Sequence, residues 1–501
     1  MSVVLISFTA YTLAIVALGL YSARYAQRSD EDFFLAGRSL GPWVGALSAS
    51  ASSESGWVTL GLVGWAYTNG VQAYWIIPGC LLGYLFNWFV IAGRMNDRSR
   101  ALGALTLPDF FALSFRERVP ILRVLTVTVI LVAMLLYVAA QLAAAGKAFS
   151  TAFPAIGYKS GVLIGAAIVL VYTVSGGFRA VCWTDFLQAL LMVGTLVVFP
   201  CYLLFAHGGY GFVTGTLASV APENGQAGDL LRFMPDATGL VLLGFLFGHG
   251  ALGINFGYPG QPHVLVRFMA LKNRRDAWIG GAVAFVWGAC VYWGAVTVGL
   301  FARAMAQQGE AWTAALVEDS DVGLVVSAMH LLPQVLSGLV LAAVLAAICS
   351  TADSQLVVAA SAAANDLYAR LIRRSESGNH PWVSRGVVAA LGIIAVLLVI
   401  DTRVTVYQFV LTYGWAFLGA SFGPQVILLL LWKRVSYVGS VAGMVAGFAT
   451  AVIWPNVYSE AATGVHVYNL TLGFIVALVV NVVFSLAFPR QRATTGAPPH
   501  A

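Results

Sequence analysis

Long apolar runs alternate with short polar loops along the whole chain, and thirteen of them meet or approach the ~20 residues a helix needs to cross a hydrocarbon core. They lie at 4–22, 42–66, 72–93, 121–148, 160–176, 183–206, 237–257, 276–302, 334–369, 385–400, 404–432, 436–454 and 467–488. The pattern predicts an all-α integral membrane protein of about 13 transmembrane helices.

Polar residues interrupt the runs at a few places. The second segment reads SASASSESG over 48–56, a stretch of hydroxyls with weak helix propensity that predicts an unwound middle. Backbone groups freed at membrane depth are tolerated only where a cavity, an ion or neighbouring side chains satisfy them. Small residues also permit close helix packing, yet packing gives no reason for Glu54. The seventh segment has a similar interruption, GHGALGINFGYPGQPH, and the ninth places Ser350 and Thr351 in the apolar LVLAAVLAAICSTADSQLVVAA. Hydroxyls and a carboxyl at such depth are costly unless a cation, solute or proton compensates, so they mark a functional site. Broken helices at matching positions of two halves point to a transporter's central site. Segments 2–6 and 7–11 then form two inverted five-helix repeats, with one helix before them and two after.

Composition reinforces this reading. Of 501 residues 59% are hydrophobic and 10% charged, and the mean hydropathy is +0.84, too little polar surface for a water-soluble protein of this size. With the N-terminus outside, all but five of the 27 Lys and Arg fall on cytoplasmic loops, leaving Lys147, Lys159, Arg232, Arg303 and Arg403 opposite. The expected location is the plasma (inner) membrane with the C-terminus cytoplasmic. The net charge of +6 is thus an orientation signal, and nucleic-acid binding has no support. Cys80, Cys182, Cys201, Cys290 and Cys349 lack CxxC spacing and read as apolar packing residues. The first segment lacks the charged start and cleavage pattern of a signal peptide. No phosphate loop, metal-spaced His cluster or nucleophile triad emerges, so an enzyme is not expected. Nor is a cofactor or an obligate protein partner. The expected division is 1–41 (first helix and loop), 42–432 (ten-helix transport core), 433–489 (two C-terminal helices) and 490–501 (disordered cytoplasmic tail).

FFLAGRSLGP, ALSASASSESGW, ALTLPDFF, GGFRAVCWTDFLQALLM, GYPGQPHVLVRFMA, LAAICSTADSQL with NDLY, and GASFGP occur in order from residue 33 to 424. In these motifs the chain resembles the sodium:solute symporter family, and within it the bacterial sodium/proline symporters. The resemblance implies a leucine-transporter-like fold, alternating access and sodium held between the second and ninth segments. The carbonyls of Ala51, Glu54 and Ala347 and the hydroxyls of Ser350 and Thr351 would supply the oxygens that a hard cation prefers. It also implies that Asp185, in the WTD motif, supports a second cation or proton; the plainer alternative is a cap or a charge at the cytoplasmic end. Around the solute path it places Ser55, Gly56, Trp57, Tyr137, Ile254, Tyr258 and Pro262. The solute is expected to be proline, another amino acid or a similar small carboxylate, because a broken helix end can bind carboxylate.

Two departures from the proline transporters bear on this. They carry an aspartate at the position of Ser53 and an apolar residue at Glu54, so the carboxyl has moved by one here. A one-residue shift turns a side chain about 100° around a helix. Glu54 therefore faces the ion, the solute or a neighbouring helix, and proton coupling through Glu54 is the alternative to sodium. The second departure is Ile254, where they have a tryptophan. A sensor built on the same fold is a further reading. His249 is expected as a hydrogen-bonded packing histidine, with titration in a proton step as the alternative, His263 as a turn residue, and Glu31 and Asp32 beside Arg38 as a solvated loop.

Overall fold

The computed structural model describes residues 3–23, 29–173, 177–218, 230–235, 238–374, 380–459 and 463–489. The expected disordered tail at 490–501 lies outside them. Among the described residues every regular element is helical, and nine helices are long and apolar enough to cross a membrane. Three shorter apolar helices, Val3–Ile15, Gly157–Val171 and Ser320–Leu331, accompany them. Each of the thirteen apolar segments contains helix.

The second segment breaks where its composition said it would. Helix Pro42–Ser53 starts on a proline, whose missing N–H costs nothing there. It ends at Glu54, whose φ −99° and ψ 75° leave the helical region while its N–H still reaches the Ser50 carbonyl at 2.9 Å. The chain resumes as a wide π-type turn, Trp57–Leu62, and then helix Val63–Asn69. Such π segments inside helices recur at functional sites.

The seventh segment is broken more thoroughly. Helix Gly239–Leu246 stops, a tight 3₁₀ stretch Leu252–Gly260 follows, and Pro262–Ala270 restarts after Gln261. Gln261 is extended (φ −86°, ψ 106°), as the residue before a proline prefers to be. Its side-chain amide donates to the carbonyls of Gly257 (3.1 Å) and Trp415 (3.2 Å), answering acceptors that the irregular backbone leaves. Gly257 is required here: a Cβ would sit 1.9 Å from the Trp415 indole nitrogen.

Helix Pro42–Ser53 is central, packed by Phe178–Ala206, Pro262–Ala270, Arg274–Gln307 and Gln334–Ser361. Contacts between these long helices depend on small residues. At Gly294 a Cβ would lie 1.6 Å from the backbone oxygen of Leu196, which cannot swing aside. Gly294→Ala should therefore force two helices apart and cost about 1–3 kcal/mol, read as a lower melting temperature in detergent; an unchanged melt would contradict this packing.

Three basic residues expected on loops are buried. Arg38 donates to the carbonyls of Ala104 (2.7 Å) and Met269 (3.2 Å) and to the Ser99 hydroxyl (3.0 Å), and pairs with Glu31 at 2.5 Å. The stretch Asp30–Leu35 before it is a short helix capped by Ser29, not an irregular loop. Arg123 and Arg267 are likewise enclosed. Reading Arg38 as part of a solvated loop was incorrect, because distance in sequence from an apolar run does not report tertiary enclosure.

Two ion networks hold the ends of helix Ile121–Ala152. Near its start, Arg123 pairs with Asp109 (2.8 Å) and Asp366, while Thr106 donates to Asp366 at 2.6 Å. Near its end, Lys147 pairs with Asp321 (2.7 Å) and Asp319 (2.9 Å), and Asp321 accepts the Val406 N–H at 2.8 Å. Burial pushes the Asp321 carboxyl upward from its ordinary range, and the Lys147 ammonium opposes that shift.

Candidate functional site

The break at Glu54 lies against the ninth segment. There the Ser350 hydroxyl donates to the Ala51 carbonyl (2.9 Å) and to the Ala347 carbonyl (3.2 Å), and the Thr351 hydroxyl reaches Ala51 at 3.4 Å. Four oxygens, from Ala51, Ala347, Ser350 and Thr351, thus converge in a buried position. Ala51 lies in the last turn of its helix, where carbonyls lack intrahelical partners. The two hydroxyls now serve that carbonyl, and each retains lone pairs that a rotation turns toward a cation.

The Glu54 carboxylate does not join this group of oxygens. Its Oε1 accepts from Ser53 (3.1 Å), Tyr84 (3.0 Å) and Tyr258 (3.1 Å), and Tyr258 exchanges a hydrogen bond with Tyr292 at 3.0 Å. Beside Ala51 only its backbone carbonyl is left to serve an ion. The side chain turns instead toward Tyr84, Tyr258 and Tyr292, of which Tyr258 is among the expected solute-path residues.

Asp185 is engaged on the other flank of helix Pro42–Ser53. Its Oδ2 accepts from Ser48 (2.7 Å), Ser52 (3.1 Å) and the Arg267 guanidinium (2.8 Å). Arg267 further donates to Ser48 at 2.9 Å and Ser354 at 2.6 Å. Both charged side chains are wholly enclosed, so Asp185 is not a charge at an exposed end, and its counter-ion is already present as a side chain.

The expected solute-path residues are all buried around the break. The Ser55 hydroxyl receives the Gln141 amide (3.1 Å), the Gly56 N–H donates to the Gln141 oxygen (3.0 Å), and the Trp57 indole donates to the Ser53 carbonyl (3.0 Å). Tyr137 lies edge-on to His263 at 6.1 Å, and Pro262 opens the helix that holds His263. His263 is fully buried in a helix rather than in a turn, because Pro262 at the position before it starts that helix. The Ile254 carbonyl receives the Trp415 indole at 3.0 Å. Trp415 also stacks edge-on with Tyr258 at 4.7 Å, an aromatic wall supplied by the eleventh segment. Sequence reasoning missed Trp415, Tyr84, Tyr292 and Gln141, which are ordinary apolar-segment residues until the fold brings them together.

A hollow of about 610 Å³ opens beyond this cluster, lined in part by Trp65, Asn69, His249 and His466. His249 and His466 share a hydrogen bond of 2.9 Å, so His249 bridges two elements as well as packing. Trp65 stacks on Tyr407 (5.0 Å), and Tyr407 in turn lies 6.1 Å from Trp57.

Two broken helices whose breaks face intact neighbours, with oxygens converging between them, define the class of a secondary transporter. The fold agrees: a sodium-coupled sialic acid symporter in a substrate-bound outward-open state matches with a TM-score of 0.75 at 19% identity, over 97% of this chain and 98% of that one. MhsT in complex with L-phenylalanine matches at 0.52 and 14% identity, over 89% and 98%. The family model "Sodium:solute symporter family" matches residues 33–447, and the chain belongs to that family. It is therefore a multi-pass membrane transporter and not an enzyme. Relatives include the sodium/proline symporter of Escherichia coli (strain K12), 34% identical over 96% of this chain and 92% of that protein. Another is the osmoregulated proline transporter OpuE of Bacillus subtilis (strain 168), 33% identical over 97% and 95%.

Proposed function

We propose that the protein carries out sodium-driven symport of a small amino acid, proline first, into the cell. The observation that carries this reading is the contact of Ser350 with the Ala51 carbonyl at the helix break. A sodium ion, as co-transported substrate, would be held by the carbonyls of Ala51, Glu54 and Ala347 and the hydroxyls of Ser350 and Thr351. That set is all oxygen, as a hard cation requires. Binding there would tie the broken second segment to the ninth. Because the same break carries Ser55, Gly56 and Trp57, the ion would favour the conformation that binds solute, and the shared preference is the coupling.

The solute assignment rests on the proline transporters among the relatives and on buried Trp57, Tyr137, Tyr258 and Pro262. Asp185 is left out of the ion set, since Arg267 already neutralises it. Thirteen spans, inverted repeats at segments 2–6 and 7–11, the division at 41, 432 and 489, an outside N-terminus and a plasma-membrane location belong to the same reading. Uptake of labelled proline into proteoliposomes, under imposed sodium or proton gradients across a pH series, tests it. Accumulation should follow the sodium gradient; uptake indifferent to sodium and driven by a pH gradient would overturn it.

A further inference from the structure

Glu54 is a buried carboxyl with one oxygen saturated and the other idle. Oε1 accepts three hydroxyl hydrogen bonds, from Ser53, Tyr84 and Tyr258. Oε2 is buried and accepts none, and no described ion pair includes Glu54. The side chain is fully enclosed. Three donors on one oxygen suit an ionised carboxylate, which only accepts. A proton on Oε2 would instead place a buried O–H donor on an oxygen that makes no hydrogen bond in this structure, although the Tyr292 hydroxyl also interacts with this carboxyl, and an unmade bond there is itself costly. An ionised carboxyl without a counter-charge is no better placed in this apolar surrounding. The arrangement is satisfied by a visiting cation that brings N–H donors.

Where such a cation would sit follows from the geometry of the break. Ala51 turns its carbonyl toward Ser350 and Thr351, whereas Glu54, three residues on and past the helix end, turns toward Tyr84 and Tyr258. The two sides of one broken turn thus face two different surroundings. Around Glu54 the surfaces are aromatic: Tyr84 meets Tyr258 edge-on at 5.2 Å, Tyr258 meets Trp415 at 4.7 Å, and Trp57 lies 6.3 Å from Tyr292. Rings beside a carboxylate accommodate an ammonium together with the alkyl carbons it carries.

We infer that Glu54 is the specificity-determining group for the solute, with Oε2 pairing to a protonated primary or secondary amine on a small aliphatic or cyclic skeleton. The inference rests on the symport reading above and names the half of the solute that this site reads. A carboxylate alone, a sugar or another uncharged solute leaves Oε2 unpaired and is rejected for that reason.

The test is a panel of labelled solutes in proteoliposomes containing the wild-type protein, together with proline titrations of wild type and Glu54→Gln at several sodium concentrations and pH values. In the wild type, solutes with a protonated amine should accumulate, and carboxylates and sugars should not. Pyrrolidine should compete with proline and cyclopentanecarboxylate should fail to. Glu54→Gln should weaken the apparent affinity for proline by about 30-fold or more, with the half-saturating sodium concentration and the pH profile unmoved. Cyclopentanecarboxylate competing as well as pyrrolidine in the wild type overturns the assignment, and needs no variant to fold. Unchanged proline affinity in Glu54→Gln also overturns it, whether accompanied by a flattened pH profile, which marks a proton carrier, or by a shifted sodium requirement, which marks an ion ligand. Amine uptake that ignores sodium defeats the symport reading and leaves the role of Glu54 standing.

Discussion

Ser350→Ala combined with Thr351→Ala should abolish sodium-driven accumulation while leaving the protein inserted and folded. Each hydroxyl offers a cation an oxygen in a water-poor position, and a hydrogen-bond-like contact to a charge contributes about 1.5–3 kcal/mol. Losing two amounts to a fall in sodium affinity of roughly 10²–10⁴-fold. Alanine fits both positions without strain, because each sits in the middle of an unbroken helix that favours it. The Ala51 carbonyl loses its present partners at the same time. Uptake should fail at ordinary sodium concentrations and recover partly at very high ones. Full accumulation by the double variant would contradict the assigned ion site.

Arg267→Met should have the largest effect on stability. The guanidinium and Asp185 are both wholly enclosed, 2.8 Å apart, and share Ser48 and Ser354 as common hydrogen-bonding groups. Removing one partner of a buried pair strands the other charge, at a cost of about 3–5 kcal/mol. Adding Asp185→Asn to Arg267→Met should recover most of that loss, because two neutral groups replace a single stranded one. Thermal unfolding in detergent of the two singles and the double measures the coupling. A single Arg267→Met variant that melts with the wild type would show that the pair is not holding these helices.

The backbone features were the most legible in sequence. The run SASASSESG lacks residues that hold a helix together, and Pro262 fixes where the seventh segment can restart; both are local properties, and both breaks occur where they were expected. Ser350 and Thr351 stood out for the same reason, as hydroxyls amid apolar residues. What sequence could not give was direction. Whether Glu54 turns toward the ninth segment or toward Tyr84 and Tyr258 depends on ψ at one residue beyond a helix end, which no periodicity encodes. Arg267 lies 82 positions from Asp185, and nothing in an arginine near the end of an apolar run distinguishes a loop charge from a sealed counter-ion. Arg38 repeats the lesson: its motif was plain in the sequence, but the carbonyls of Ala104 and Met269 that it binds are assembled only by folding.

Arg123 and Lys147 stand 24 residues apart on one continuous helix, about 36 Å along its axis. Each is gripped by a pair of aspartates from other elements, and both grips are intact at once. The two grips therefore tie this one helix to other elements at both of its ends. Any movement of the helix against either set of neighbours must part a charge from partners that lie largely out of water, so such a shift carries an electrostatic cost at whichever end moves.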